Sequence, residues 1–238
     1  AAIGGGESND IWGWTDALDG KEYVLLGTYT GTSFFDISDP INPILLGELP
    51  TQTFNSIWRD VKVYQDYAFI VSEANAHGMQ VFDLTRLRNV VAPPEVFTVD
   101  AHYAGFGDAH NIVINPSVAR AYAVGTATFN GGLHIVDISN PLAPSLLGDY
   151  ALDGYTHDAQ VVTYNGPDAA YQGMQIAFNC NGNSLTIANV EDPTDTQTLS
   201  INGYPGSAYT HQGWITDDHQ YFLLNDELDE SNNGTNTR

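Results

Sequence analysis

Ala109-His110-Asn111-Ile112-Val113-Ile114 is one of five copies of a single phrase, and its recurrence decides the fold. The others read Ser8-Asn9-Asp10-Ile11-Trp12-Gly13-Trp14, Trp58-Arg59-Asp60-Val61-Lys62-Val63-Tyr64, Thr156-His157-Asp158-Ala159-Gln160-Val161-Val162 and Thr210-His211-Gln212-Gly213-Trp214-Ile215. Asp10, Asp60, Asn111, Asp158 and Gln212 align, 50, 51, 47 and 54 residues apart. Self-similarity at such a period means that one supersecondary unit is stacked against copies of itself.

A second phrase fixes the register between these copies. Thr32-Ser33-Phe34-Phe35-Asp36-Ile37-Ser38-Asp39-Pro40 matches Leu133-His134-Ile135-Val136-Asp137-Ile138-Ser139-Asn140-Pro141, and Met79–Leu84 and Leu185–Val190 are weaker copies. A proline-bearing turn and a short apolar run follow, as in Pro43-Ile44-Leu45-Leu46-Gly47 and Pro144-Ser145-Leu146-Leu147-Gly148. Within one unit, 110–114, 120–125, 131–137 and 145–150 are short runs rich in Val, Ile, Tyr and Leu, separated by Gly, Pro, Asn and Asp. That is the signature of strands and turns, and no long stretch has helical periodicity. Four antiparallel strands per unit predict an all-β fold, a β-propeller of four-stranded blades. The rival β-helix has shorter coils and lacks hairpin turns such as Asp19-Gly20 and Gln65-Asp66.

Repeat starts near 9, 59, 110, 157 and 211 give a single domain over 1–238, with four complete blades and half of a fifth. The last unit has only its second run, 220–225, before the sequence stops. The propeller is therefore expected to be incomplete at its C-terminus and to continue past Arg238.

The chain has 7 Lys+Arg against 29 Asp+Glu, a formal charge of −22. Nucleic acid and anionic membranes need a basic surface, so both are excluded as partners. No apolar run is long enough to span a bilayer. Cys180 is the sole cysteine, so there is no intrachain disulfide, and its place at the end of an apolar run makes it a small buried hydrophobe.

Residues 133–141 resemble the LVIVD repeat of bacterial and archaeal surface proteins. The wider set is similar to the choice-of-anchor B family: Asn9–Trp14, Ser56–Asp60, His77–Leu84, Gly105–Asn111, Tyr155–Gln160, Tyr209–Trp214 and Leu224–Glu230. The resemblance implies a propeller of six to eight blades in the intact protein, with a C-terminal anchor that differs between members. It implies an extracellular, cell-surface or periplasmic location. The family label describes architecture and anchoring and does not specify a reaction.

In a hairpin, the start of the first strand lies beside the end of the second. His110, His157 and His211, which open first strands, should therefore share a loop-rich face with Glu73, Thr126, Asn179 and Asn225-Asp226-Glu227, which end second strands. Neutral imidazole ligates transition metals such as Zn²⁺, and Asp60, Asp158 and Glu73 could complete or orient a site at the mouth of the central channel. Repeated histidines could equally bond backbone carbonyls at each strand start. Asp226, Glu227, Asp229 and Glu230 form the densest acidic cluster and would suit Ca²⁺, which takes six to eight oxygen ligands. A solvated acidic loop is the alternative. His134 and His219 read as structural or exposed, and Asp36, Asp83 and Asp137 as turn or inter-blade acceptors. Trp12, Trp14, Trp58 and Trp214 are expected to pack in the core, although exposed indoles there could stack on a sugar.

No nucleophile elbow, Cys/His pairing or phosphate loop occurs. Three readings result. The first is a secreted or surface binding module, calcium-stabilised, with a protein or carbohydrate partner. The second is a metal-dependent hydrolase, and the third is a structural subunit of a surface layer or filament. Fold does not choose among them.

Overall fold

The computed structural model describes residues 6–234. The first blade contains β1 (Ser8–Thr15), β2 (Glu22–Thr28), β3 (Gly31–Asp36) and β4 (Ile44–Pro50). The second contains β5 (Arg59–Tyr64), β6 (Tyr67–Ser72) and β7 (Met79–Asp83). A 3₁₀ turn at Leu84–Asn89 then leads to β8 (Glu95–Val96) and to the second blade's outer strand, β9 (Ala101–Tyr103). The third blade is β10 (Asn111–Asn115), β11 (Arg120–Val124), β12 (Leu133–Asp137) and β13 (Ser145–Tyr150). The fourth is β14 (Asp158–Thr163), β15 (Gln175–Cys180), β16 (Leu185–Asn189) and β17 (Gln197–Asn202). β18 (Thr210–Ile215) and β19 (Phe222–Asp226) pair as a half-blade, followed by a short helix, α1 (Asp229–Asn233). Four multistranded sheets and a two-stranded one follow in chain order, the strands of each blade pairing antiparallel with their neighbours, as the repeat predicts.

The chain divides into two compact units, Ala1–Ile112 with Ile138–Ser145 and Val113–Asp137 with Leu146–Arg238. In the first, Tyr23, Leu25, Phe34, Val61, Ile70 and Phe82 belong to one buried core. In the second, Tyr122, Leu133, Ile135, Val161, Ala177 and Ala188 form another. The second strands β6, β11 and β15 are buried along almost their whole length. A strand covered on both faces needs side chains that avoid water on both, which is why Ala68-Phe69-Ile70-Val71 reads as an unbroken apolar run rather than an alternation.

The turn residues behave as their chemistry dictates. Gly20 (φ +73°) and Gln65 (φ +53°) carry the left-handed backbone at the two foreseen hairpin turns. Asp36 Oδ1 accepts the Ser38 N–H, and Asp83 Oδ1 accepts the Thr85 N–H, so the recurring third-strand aspartates close Asx turns. Cys180 is fully buried, and burial pushes its thiol up to about 12.

Two features differ from the sequence reading. β8 leaves the second blade's connection and pairs in parallel with β4, adding a fifth strand to the first sheet. Only Trp14 among the tryptophans lies in the core, stacked on Tyr23 at 5.0 Å; Trp58 and Trp214 are about half exposed or more. Both sit where a first strand emerges into loops or onto an uncovered sheet face, so alternation alone could not bury them.

Candidate functional site

In the first unit, Trp58 precedes β5, Glu73 follows β6 and His110 precedes β10. Backbone pairing brings the first two together, the Glu73 N–H donating to the Trp58 carbonyl at 3.1 Å. His110 Nδ1 then meets Glu73 Oε1 at 2.6 Å, and its ring lies 6.1 Å from the Trp58 indole at 45°. An indole 48% exposed therefore stands beside a hydrogen-bonded imidazole–carboxylate pair. The hairpin argument placed His110 and Glu73 on one face, and they are in contact.

Asp60 has a different setting. It is buried, with Oδ2 accepting the Ile112 N–H at 2.7 Å and Oδ1 accepting the Val61 N–H and the Lys62 ammonium. Burial raises it well above the usual carboxylate range, despite the opposing pull of Lys62. Asp10 also feels burial, but its bond with Asp60, the Lys62 charge and the Val61 N–H outweigh it and hold Asp10 low. Asp10 Oδ2 accepts the Val61 N–H at 3.0 Å, one repeat before the bond from Asp60 to Ile112. In the second unit, Gln160 Oε1 accepts the Ile215 N–H at 2.7 Å. At Asp10 and Asp60 the aligned acidic position thus straps the first strand of one blade to that of the next, and in the fourth blade Gln160, two residues past the aligned Asp158, makes the corresponding link.

Arg59 is wholly buried and has no acidic partner among the described residues. Nε donates to the Thr28 carbonyl at 3.2 Å and Nη1 to His77 Nε2 at 2.9 Å, while burial lowers the guanidinium to about 10. Because arginine can only donate, His77 Nε2 must be a lone pair and Nδ1 carries the proton, donated to the Gly78 carbonyl. Burial first, with the Arg59 charge adding to it, pushes His77 down to about 4 against its own bond to Gly78. His102 Nε2 donates to the His77 carbonyl at 2.7 Å. This cluster was not foreseen, because the sequence places His77 outside the repeat register.

In the second unit, His157 is nearly buried and donates from Nδ1 to the His211 carbonyl at 3.0 Å. The two rings are 4.4 Å apart, and Tyr209 meets His157 edge-on at 5.3 Å. His211 Nε2 lies 3.8 Å from Glu227 Oε2. Asp158 opens β14 opposite Cys180. His134 is buried, 2.9 Å from Thr128 Oγ1, and burial lowers it to about 4; His219 accepts the Asn165 N–H in a turn.

Asp226 is a hub. Its oxygens accept from the Tyr204 hydroxyl and from the N–H groups of Ala208, Tyr209, Leu228 and Asp229, all between 2.6 and 3.0 Å. Burial alone would raise Asp226, but the Tyr204 hydroxyl and the converging N–H donors hold it down at about 2. Asp229 is buried at the start of α1, while Glu227 and Glu230 are exposed. Among the described residues, no three His, Cys, Asp or Glu side chains come together as a metal-holding group.

The LVIVD repeat is present in two segments, residues 58–77 and 122–151. No curated protein sequence matches the chain. Among solved structures, a functionally unknown protein from Desulfotomaculum acetoxidans is similar, with 14% identity and a TM-score of 0.68 over 93% of this chain and 64% of that one. The periplasmic gluconolactonase of Pseudomonas aeruginosa has 10% identity and a TM-score of 0.57 over 87% of this chain and 62% of its own. An auxiliary nutrient binding protein from Bacteroides ovatus has 13% identity and a TM-score of 0.58 over 93% and 57%. This chain spans about three-fifths of each, and at these identities the likeness is one of fold: a multi-bladed β-propeller. No helix among the described residues is long and apolar enough to cross a membrane.

Proposed function

We propose that this protein is a secreted or cell-surface binding module of the choice-of-anchor B type, whose ligand is a neutral carbohydrate held at Trp58, Glu73 and His110. The observation that carries the reading is the half-exposed Trp58 indole beside the 2.6 Å His110–Glu73 pair. An exposed indole offers a flat apolar face to the C–H face of a sugar ring, and the imidazole and carboxylate can bond its hydroxyls. A formal charge of −22 disfavours uronates and sulfated glycans, which leaves neutral saccharides. The hydrolase reading needs a metal-holding group, and the geometry of the described side chains gives it no support.

Titrating the protein with neutral oligosaccharides on a glycan array, followed by tryptophan fluorescence, tests this. Saturable binding that Trp58→Ala abolishes and His110→Ala weakens at least tenfold is expected, with the melting curve unchanged. Absence of binding to every neutral glycan would remove the carbohydrate and leave a protein partner. Calcium enters the proposal as a stabiliser of the acidic loop after β19. Asp226 already accepts five hydrogen bonds and among the described residues no three carboxylates of the loop converge, so an ion there would rest on the exposed Glu227 or Glu230, with backbone carbonyls and water completing its shell.

A further inference from the structure

Within the first unit, the loop over 51–58 joins β4 to β5 and is tied to both blades. The Thr51 N–H donates to the Thr30 carbonyl at 2.9 Å and the Ser56 N–H to the Tyr29 carbonyl at 3.1 Å, so both ends of the loop are held on the β2–β3 turn. Thr51 Oγ1 donates to the Phe54 carbonyl at 3.0 Å, and Thr53 Oγ1 to the Asn75 carbonyl, in the loop after β6, at 2.9 Å. Ser56 Oγ accepts the Trp58 N–H at 3.2 Å. A loop fixed at so many points presents its side chains in set places.

The side chains it leaves in water are aromatic. Phe54 is 67% exposed, and Trp58 and Tyr29 are about half exposed. Phe54 and Trp58 each lie two residues from Ser56, whose N–H is bound to Tyr29. All three rings therefore stem from within two residues of a single backbone hydrogen bond. The reach of the chain limits the Phe54 and Trp58 α-carbons to about 14 Å apart. Single exposed apolar side chains are ordinary on a protein surface, but a gathering of them on one loop face marks a binding surface.

The chemistry around the rings narrows what covers them. One aromatic face accepts one sugar ring, so rings spread along a loop accept a chain of sugars. The His110–Glu73 pair beside Trp58 supplies hydrogen-bonding groups at one end, and the charge of −22 disfavours an acidic chain.

We propose that this face binds an extended neutral oligosaccharide of the β-1,4-linked type, with different sugars resting on Trp58 and Phe54 and with Tyr29 as a third contact. The inference rests on the carbohydrate reading above and extends it from one sugar to a chain. A β-1,4-linked neutral pyranose chain is elongated and turns flat C–H faces outward, the shape that spaced aromatic rings accept. Its hydroxyl edges meet the imidazole and carboxylate at the Trp58 end. Because linkage makes the second contact intramolecular, affinity rises with chain length.

Calorimetric titration of the intact protein with the di- to hexasaccharides of cellulose, mannan and xylan tests this. In a series that binds, the hexasaccharide should bind at least tenfold tighter than the disaccharide. That ratio should fall to about threefold or less in Phe54→Ala and return in Phe54→Tyr, which keeps a ring in place. Tyr29→Ala should lower it by a smaller factor. Phe54 is exposed, so its variants should melt with the parent, and the ratio reports binding rather than folding. Equal affinities for disaccharide and hexasaccharide would overturn the chain and leave a single-sugar site at Trp58. An undiminished ratio in Phe54→Ala would overturn it as well. If none of the three series binds, the inference falls, and the carbohydrate reading falls with it only if the glycan array also shows no signal that depends on Trp58.

Discussion

His77 and His134 are buried as neutral imidazoles, and both are held near 4 by burial. For His77 the reason is explicit: its only remaining basic nitrogen accepts a bond from Arg59, and protonating it would break that bond beside a positive charge. Since the unfolded value is 6.5, the unfolded chain binds more protons than the folded one between about 4 and 6.5. Stability supplied by these groups is complete above pH 6.5 and is lost as pH falls towards 4. Each contributes on the order of 3 kcal/mol at neutral pH. Urea unfolding from pH 7.5 to 4 should show this slope, and it should flatten in His77→Gln and again in His134→Gln. Unchanged slopes in both variants would mean that these imidazoles are solvated. Asp226 is a second residue whose worth lies in its bonds. Asp226→Ala orphans a tyrosine hydroxyl and four N–H groups and should cost about 2–4 kcal/mol, with Asp226→Asn intermediate. A melting curve of Asp226→Ala that matches the parent would contradict the assignment.

The elements were mostly legible because each repeat states its strand pattern several times. Strands β11 and β13 begin where alternation and turn residues place them, and the half-blade is present as read. β8 was not legible: a two-residue parallel strand, paired with β4 far away in sequence, has no local pattern to announce it. Its trace in the sequence is the repeated Leu-Leu-Gly. A Cβ on Gly47 would lie 2.2 Å from the Glu95 carbonyl oxygen, and one on Gly148 would lie 2.0 Å from the Pro193 carbonyl oxygen. The recurring glycine lets the next blade's connection lie directly on the outer strand, and the Asp149 N–H bonds to Pro193 there. Gly47→Ala and Gly148→Ala should each destabilise by roughly 1–3 kcal/mol, because backbone and not a movable side chain is in the way. Gly20→Ala, with open space around its Cβ, would carry only the strain of its positive φ. Equal melting points for all three variants would argue against the close approach. The candidate site divides along the same line. Hairpin geometry brought His110 to Glu73, whereas the strap at Asp60 and the bond from Arg59 to the Thr28 carbonyl depend on contacts between consecutive blades that one repeat cannot reveal, and the Arg59–His77 pair joins a loop histidine outside the repeat register.

At the scale of the whole molecule, charge outweighs its local pairing. Of the few cations, Lys62, Arg86 and Arg88 meet aspartates, whereas Arg59 and Arg120 are directed to carbonyl groups. Most of the 29 acidic side chains consequently have no cation beside them, and a net charge of −22 repels itself. Screening acts on that repulsion: the Debye length falls from about 30 Å at 0.01 M salt to about 8 Å at 0.15 M. The melting temperature should therefore rise by several degrees over this range and level off above it. Calcium chloride at matched ionic strength separates screening from binding. If the acidic loop after β19 holds Ca²⁺, the melting temperature exceeds that in NaCl and keeps rising with calcium concentration, as linkage to a ligand of the folded state requires. Coincident curves in the two salts would leave screening as the whole effect and remove calcium from the proposed function, while a melting temperature indifferent to both would show that the acidic surface is spread too thinly for its repulsion to matter.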